Sequence, residues 1–563
     1  MHANPLIFAA LIATLGLSAC SPQATSTATN NPLPTARPVV QTQIVNGTPL
    51  SIAQAPNATS APAATAAPAA TQGSAYFATA APTPWQPAFN PTTTPLPNGY
   101  PATPGATPAN MNFQNYGVNP FVDTSEDHLS TFALDVDTAS YTLARNYIEQ
   151  GRLPPADAVR VEEFVNYFKQ DYTPPANVAF GIYADGAPSF YNSDGSYLLR
   201  FGIQGYTVPD AERQPANLTF VIDVSGSMAL TNRLDLVKRS LELLVERLRP
   251  SDTVAIVVFG DSARVLLNPT RGDDQASILN AIYSLRPEGA TNTEDGLRLA
   301  YSVAGQIYRP GATNRIILCS DGVANVGATS PDAILQSIGD SARNGITLST
   351  LGFGMGNFND VLMEQLADKG NGNYAYIDSI EQAQKLFVDQ LTSTLQVIAY
   401  DAKVQVDFNP DVVDRYRLIG YENRAVADPN FRNNAVGGGE MGAGHTSTAL
   451  YAVILKPGVQ GRLATVQMRW ADPQTREVRE INGNFNTFDL APTFDAASPR
   501  YQLAVTVAQF ADLLRHSPWA DPRSLPAVAN QANRLAQTNL SGDPDVAQFA
   551  SLAARTLSMG GSN

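Results

Sequence analysis

The chain has little cysteine and little histidine. In 563 residues it contains two cysteines, Cys20 and Cys319, and four histidines, His2, His128, His445 and His516. Two cysteines give no disulfide framework, and Cys319 lies in an apolar strand pattern where a small buried thiol is expected. The histidines are interpreted as signal, surface or loop residues, so no Ser-His-Asp arrangement is predicted, and we expect the protein not to be an enzyme.

Positive charge is also in the minority. The 36 Lys and Arg residues stand against 50 Asp and Glu residues, for a net charge of −14, and they form no basic stripe. Nucleic acids and anionic lipid headgroups require clustered positive charge, so neither is expected as a partner. The Gly-x-x-x-x-Gly-Lys-Ser/Thr loop of nucleotide-binding proteins does not occur, so no nucleotide is expected either.

The N-terminus carries an apolar stretch, Leu6 to Leu17, that is too short to span a bilayer. It is followed by Leu17-Ser18-Ala19-Cys20, which resembles a bacterial lipoprotein signal over residues 1–20. Cleavage before Cys20 and lipidation of its thiol would anchor the protein to the cell envelope by acyl chains, on the extracytoplasmic side. The first residues lack Lys and Arg, so a plain secretory signal is the alternative.

Residues 21–112 are rich in Pro, Ala, Thr and Ser, with Arg37 as the only charged residue. Such a composition buries too little apolar surface to offset the entropy of ordering, so this segment is predicted to be a disordered stalk. A polyproline-like chain of this length would reach on the order of 280 Å.

The remainder divides by pattern into three parts. Residues 113–210 are predicted to form two helices followed by β-rich runs. Residues 215–398 are predicted to alternate strand and helix. Residues 399–563 are predicted to form strands and then helices. The middle part predicts a doubly wound α/β domain with a mainly parallel sheet and helices on both faces. Strands on either side of it are predicted to pair into one β-sandwich that holds the α/β domain as an insertion; three separate domains in a row are the alternative. Asp135 and Asp137 are interpreted as a strand end and a helix cap.

Three short segments of the middle part gather small oxygen-bearing side chains. Val221-Ile222-Asp223-Val224-Ser225-Gly226-Ser227 places an Asp-x-Ser-x-Ser directly after an apolar run, and Thr291 and Asp321 come on later segments. On its own, the first motif would be better interpreted as turn and N-cap residues between a strand and a helix. Together the three lie at the carboxyl ends of parallel strands, where such sheets place ligand sites. Carboxylate and hydroxyl oxygens without Cys or His are what Mg²⁺ prefers.

This pattern resembles the metal-ion-dependent adhesion site of von Willebrand factor type A domains, and the flanks are similar to those of bacterial type A lipoproteins. The resemblance implies that Asp223, Ser225, Ser227, Thr291 and Asp321 bind Mg²⁺, or Mn²⁺ or Ca²⁺ in its place. It also implies that an open coordination position accepts an Asp or Glu carboxylate of a protein or cell-surface partner.

Two other function classes stay open on the sequence. One is an envelope assembly scaffold without an adhesive role. The other is a metal-dependent hydrolase, for which Glu294 and Asp295 are the nearest candidate bases; we interpret them as first-turn helix acids that favour the helix dipole.

Overall fold

The computed structural model describes residues 111–192, 194–230, 233–322, 334, 345–354 and 358–560, together with short strands within 37–51. Cys20 and most of the predicted stalk lie outside these residues. No helix among the described residues has both the length and the apolar character needed to cross a membrane.

The strands and helices of the described residues follow the predicted order. The strands are β1 Arg37–Pro38, β2 Gln41–Val45, β3 Thr48–Ser51, β4 Val122–Asp123, β5 Leu129–Ala133, β6 Phe180–Pro188, β7 Tyr197–Gly205, β8 Ala216–Asp223, β9 Thr253–Phe259, β10 Ala263–Arg271, β11 Thr313–Ser320, β12 Thr347–Phe353, β13 Tyr374–Ile377, β14 Val397–Phe408, β15 Val413–Ile419, β16 Gly439–Gly442, β17 Thr446–Leu455, β18 Arg462–Ala471 and β19 Val478–Asn486. The helices are α1 Ala139–Glu149, α2 Val161–Asn166, α3 Leu234–Val245, α4 Gln275–Ser284, α5 Thr293–Gln306, α6 Asp360–Lys369, α7 Ile380–Gln384, α8 Leu391–Leu395, α9 Pro499–Leu514, α10 Leu525–Gln537 and α11 Pro544–Gly560.

The α/β domain, residues 216–395, is built on one twisted sheet with the strand order β10-β9-β8-β11-β12-β13. All neighbouring pairs are parallel except β9 and β10. Strand β8 is buried along its whole length because helices cover both faces of the sheet, and this explains its unbroken apolar run. The α/β fold class is confirmed. The domain closes with α7, a π-helical turn Lys385–Asp389, and α8.

Strands from both sides of the α/β domain share two antiparallel sheets. One sheet has the order β1-β6-β7-β17-β15-β4, and the other has β16-β14-β18-β19-β2-β3 with β5 also paired to β14. Apolar side chains from the two sheets form one core between them, as where the rings of Phe180 and Trp470 lie 4.9 Å apart. This is a β-sandwich with the α/β domain inserted between β7 and β14, which is the arrangement predicted over three separate domains.

Helices from the two ends of the chain form a single layer. Helices α1 and α2 pack with α9, α10 and α11 through rings such as Tyr141, Phe168 and Phe549. The layer also covers outward-facing residues of the sandwich, Leu198 and Leu450. The group needs helices from both sides of the α/β domain, because neither side by itself contains the whole apolar surface.

Three short strands, β1 to β3, lie within the segment predicted as a stalk, and the rest of that segment up to residue 110 lies outside the described residues. Strand β2 pairs with β19, β3 pairs with β2, and β1 pairs with β6. Composition measures how much apolar surface a segment offers, but the edge of a sheet binds a passing strand through backbone N–H and C=O groups that every composition supplies.

A buried acid cluster joins the helical layer, the sandwich and the α/β domain. Arg160 bonds to both oxygens of Asp360 at 2.7 and 3.2 Å, and Arg424 bonds to Asp137 at 2.9 Å and lies 3.4 Å from Asp135. The prediction that these aspartates cap a helix is therefore wrong for α1, whose N-cap residue makes no side-chain capping hydrogen bond. Asp135 and Asp137 pair instead with Arg424, a sandwich residue that is distant in the sequence. The cluster holds more carboxylates than guanidinium groups; its acids are Asp135, Asp137, Glu162, Glu163, Asp360 and Glu364, all buried.

Candidate metal centre

The three predicted segments meet at one edge of the α/β sheet. Strands β8 and β11 are parallel neighbours, with Ile222 opposite Cys319, so Asp223 and Asp321 leave the sheet from adjacent carboxyl ends. Thr291 lies on the loop that leads into α5. All three side chains are buried, with at most 1% of their surface exposed.

The carboxylate of Asp223 is fixed by two neutral donors. Its Oδ1 accepts a hydrogen bond from the Ser225 backbone N–H at 2.8 Å, and its Oδ2 accepts one from the Ser320 hydroxyl at 2.7 Å. Burial, followed by the nearby Asp321 charge, raises the pKa of Asp223 to about 7. Sequence reasoning missed Ser320, although its position beside Asp223 follows from the register of two adjacent parallel strands.

The two serines of the first segment present their hydroxyls together. Ser225 Oγ and Ser227 Oγ are 3.0 Å apart. The loop that carries them is tied to the Thr291 loop, since Gly226 N–H donates to the Gly289 carbonyl at 3.0 Å. Gly289 has a φ of +69°, and a Cβ there would lie 2.5 Å from the side chain of Asp261. Glycine is thus required where the two loops approach each other.

Asp321 differs from Asp223 because it has a cationic partner. Nη1 of Arg233 donates to Asp321 Oδ2 and lies 3.4 Å from the Ser227 carbonyl oxygen. Both side chains are buried. Sequence reasoning did not identify Arg233, which immediately precedes α3 and looks there like an ordinary solvated residue.

The chemistry of the predicted donors fits a hard divalent cation, since carboxylate and hydroxyl oxygens are present without sulfur or imidazole. The structure places the two buried carboxylates close enough to interact and the two serine hydroxyls 3.0 Å apart, and Thr291 lies on the loop that is hydrogen-bonded to the serine loop. Among the described residues no cationic side chain is paired with Asp223, and a buried carboxylate in that state is expensive unless a cation or a proton neutralises it. Clusters of three or more His, Cys, Asp and Glu placed to hold a metal are absent from the described chain, so a metal here would depend on the hydroxyls.

The alternative catalytic residues are engaged elsewhere. Asp295 accepts hydrogen bonds from Asn292 Nδ2 at 2.8 Å and from Arg298 at 2.5 Å, and it occupies the first turn of α5 with Glu294, as interpreted from the sequence. His445 lies half-buried on the loop before β17, and burial lowers its pKa to about 4. His128 lies 2.8 Å from Asp407 on the sandwich.

Comparison with known proteins gives three family-profile matches. The profile described as von Willebrand factor type A domain matches residues 218–323. A profile described as von Willebrand factor matches residues 107–200, and one for the C-terminal part of the uncharacterized protein YfbK matches residues 393–462.

Individual proteins also match parts of the chain. The chain is 37% identical over 460 residues to the uncharacterized protein YfbK of Escherichia coli, covering 77% of this chain and 79% of that one. It is 28% identical over 187 residues to inter-alpha-trypsin inhibitor heavy chain H3 of Homo sapiens, covering 32% of this chain but 20% of that protein. Among solved structures, a von Willebrand factor type A protein from Catenulispora acidiphila covers 67% of this chain and 89% of its own, at 15% identity and a TM-score of 0.40.

Proposed function

Because the chain belongs to the YfbK family of bacterial von Willebrand factor type A proteins, we propose that it binds a protein or surface ligand through a divalent cation. The cation, Mg²⁺ or alternatively Mn²⁺ or Ca²⁺, would be held by the side-chain oxygens of Asp223, Ser225, Ser227, Thr291 and Asp321. An acidic side chain of the partner would complete the coordination sphere.

The observation that carries this proposal is the state of Asp223. Its carboxylate is fully buried, is held in place by neutral donors, and lies on the same short loop as two hydroxyl groups 3.0 Å apart. A dication supplies the missing positive charge at that position. When bound, it would attract and orient an anionic partner group, while the protein residues hold the oxygens in place and exclude water.

The remaining parts of the proposal concern where the protein acts. We infer from the residues around Cys20 that acyl chains anchor it to the extracytoplasmic side of the bacterial envelope. The type A domain is a module of protein–protein interaction in its family, and this location would direct it toward envelope or cell-surface partners. Substitution of Cys20 by Ser should release the protein from the membrane fraction and abolish labelling by a fatty-acid probe; unchanged membrane association would contradict the anchor.

The metal is tested by thermal unfolding in Mn²⁺ and in chelator. A ligand at a hundredfold excess over its Kd stabilises the native state by about 2.7 kcal/mol. We expect a Mn²⁺-dependent rise in Tm for the wild type and none for Asp223→Ala. Asp235→Ala is the matched control, because Asp235 is on the nearby α3 but its side chain is 85% exposed; it should respond like the wild type.

The outcomes separate the function classes. A rise in Tm that survives in Asp223→Ala would place the metal elsewhere and refute the assignment. No rise in any variant would favour the metal-free scaffold.

A further inference from the structure

Arg233 reaches the candidate metal centre along a path that only glycine permits. Its side chain crosses the backbone at Gly354, just beyond the end of β12. Gly354 has a φ of +86°, and a Cβ at that position would lie 2.3 Å from Arg233 Nε and 2.6 Å from Arg233 Cδ. The guanidinium group is therefore seated by the fold of the domain, and this distinguishes it from an arginine that happens to approach the site across the surface.

Arg233 makes the two carboxylates of the site electrostatically unequal. It donates to Asp321, with 2% and 0% of the two side chains exposed, so this is a buried ion pair. Within the described part of the chain, the hydrogen bonds to the Asp223 carboxylate come from the Ser225 N–H and the Ser320 hydroxyl, and both donors are neutral. Arg233 thus compensates the negative charge of Asp321, whereas the donors to Asp223 are neutral and do not compensate its charge.

We propose that Arg233 is the residue that sets the charge of the metal centre, by pairing with Asp321 and leaving the metal-loaded site with a net positive charge. This inference rests on the proposed function. The charges of two carboxylates and a divalent cation would sum to zero, and the buried guanidinium group of Arg233 adds one positive charge to that sum. Arg233 does not bind the metal. It positions Asp321, and its positive charge lowers the affinity of the site for the divalent cation by direct repulsion.

The extra charge has a consequence for the partner. A metal centre that is already neutral gains little by binding an anion, whereas a positive one in a buried setting becomes neutral when a single carboxylate binds. Arg233 therefore couples the metal to an acidic ligand: each strengthens the binding of the other. A monocarboxylate is the matching chemistry, and acetate is the simplest probe of it.

The test is a calorimetric titration of the full chain with Mn²⁺, with and without acetate. For Arg233→Met we expect Mn²⁺ affinity to rise about tenfold, because a repelling charge within a few ångströms is removed from a low-dielectric site. Arg233→Lys keeps the charge and should stay close to the wild type. Arg264→Met is the control for removing positive charge near the site, since Arg264 pairs with Glu288 on the loop before Thr291 but is 53% exposed; it should leave Mn²⁺ affinity unchanged.

Acetate provides a second readout. It should tighten Mn²⁺ binding by the wild type and have a smaller effect on Arg233→Met. Unchanged or weaker Mn²⁺ binding by Arg233→Met would overturn the proposal, as would an equal effect of acetate on both proteins.

Folding of the variant is itself informative. Without Arg233 the buried Asp321 loses its counter-ion, so Arg233→Met should be destabilised in chelator and should recover more Tm on adding Mn²⁺ than the wild type does. A variant that stays unfolded in millimolar Mn²⁺ would also overturn the proposal. If neither the wild type nor Arg233→Met binds Mn²⁺, the proposed function itself fails, which is a different result from equal binding by both.

Discussion

Substitution of Glu162 by Gln should make the protein more resistant to alkaline pH. Glu162 belongs to the buried acid cluster, and 1% of its surface is exposed. Its Oε2 accepts a hydrogen bond from Tyr421 N–H at 2.9 Å, but its Oε1 has no hydrogen-bond partner among the described residues. Burial, followed by repulsion from Glu422, raises its pKa to about 8.

The sign of the effect follows from proton linkage. The folded state holds the proton of Glu162 more tightly than the unfolded chain, whose glutamates titrate near their ordinary pKa of about 4.3. The stabilisation that Glu162 contributes is therefore fully present at low pH and is lost as the pH rises toward 8. Between the pKa of the unfolded chain and that of the folded protein, the folded state binds one proton more than the unfolded state. The unfolding free energy should therefore fall by about 1.4 kcal/mol per pH unit, or roughly 3 kcal/mol between pH 6 and 8.

The assay is urea unfolding of the wild type and Glu162→Gln from pH 5 to 9. Other groups, including Glu163 with a pKa raised to about 7 by its burial, also contribute to the wild-type curve. The difference between the two proteins isolates Glu162, because glutamine keeps the acceptor for Tyr421 and has no proton to lose. Glu246→Gln at an exposed position is the control and should run parallel to the wild type. A difference that stays constant from pH 5 to 9 would refute the reasoning.

Three further substitutions test other parts of the structure. Thr291→Ala should weaken Mn²⁺ binding by about 1–2 kcal/mol, the scale of one polar contact, and an unchanged calorimetric Kd would remove it from the ligand set. Arg315→Met breaks a buried ion pair between β11 of the α/β domain and Glu440 on β16, so urea unfolding should show a loss of about 3–5 kcal/mol that Arg315→Met/Glu440→Gln largely recovers; no recovery would mean that the pair is not the cause. Gly354→Ala should cost about 1–3 kcal/mol because it places a side chain at positive φ and against an arginine, whereas Gly305→Ala on α5 meets nothing within 4 Å and should be neutral or stabilising; equal melting temperatures for the two would contradict the proposed path of that arginine.

The sequence predicted features that depend on local pattern and on one topological rule. Unbroken apolar runs predicted β8 and β11, and the parallel arrangement predicted that Asp223 and Asp321 lie at the carboxyl ends of strands in one sheet. The direct adjacency of the two strands is a finding of the structure. Strand β10 was not predicted, because at the edge of the sheet it is largely solvated and has no clear alternation of buried and exposed residues.

Features that depend on distant pairs were not predictable in this way. Nothing near Arg233 in sequence indicates that its side chain passes Gly354 to reach Asp321. Likewise, nothing near Asp135 in sequence indicates its partner Arg424, which comes from a distant part of the chain. Such partners are selected by the tertiary fold, so a single sequence shows each residue as an ordinary surface charge.

The insertion of the α/β domain also has a consequence for the order of folding. The segment enters the domain beside Gln214 and leaves it at Gln396, and the Gln214 N–H donates to the Gln396 side chain at 2.7 Å. A sandwich that formed first would have to close a loop of the whole insertion, whereas a folded α/β domain already holds β7 and β14 close together. By the logarithmic dependence of closure entropy on loop length, this lowers the barrier to pairing the outer strands by about 2 kcal/mol. The insertion should thus act as the template for its host: in pulse-labelled hydrogen exchange during refolding, amides of β8 and β11 should be protected before those of β14 and β17, and the reverse order would show that the sandwich assembles without it.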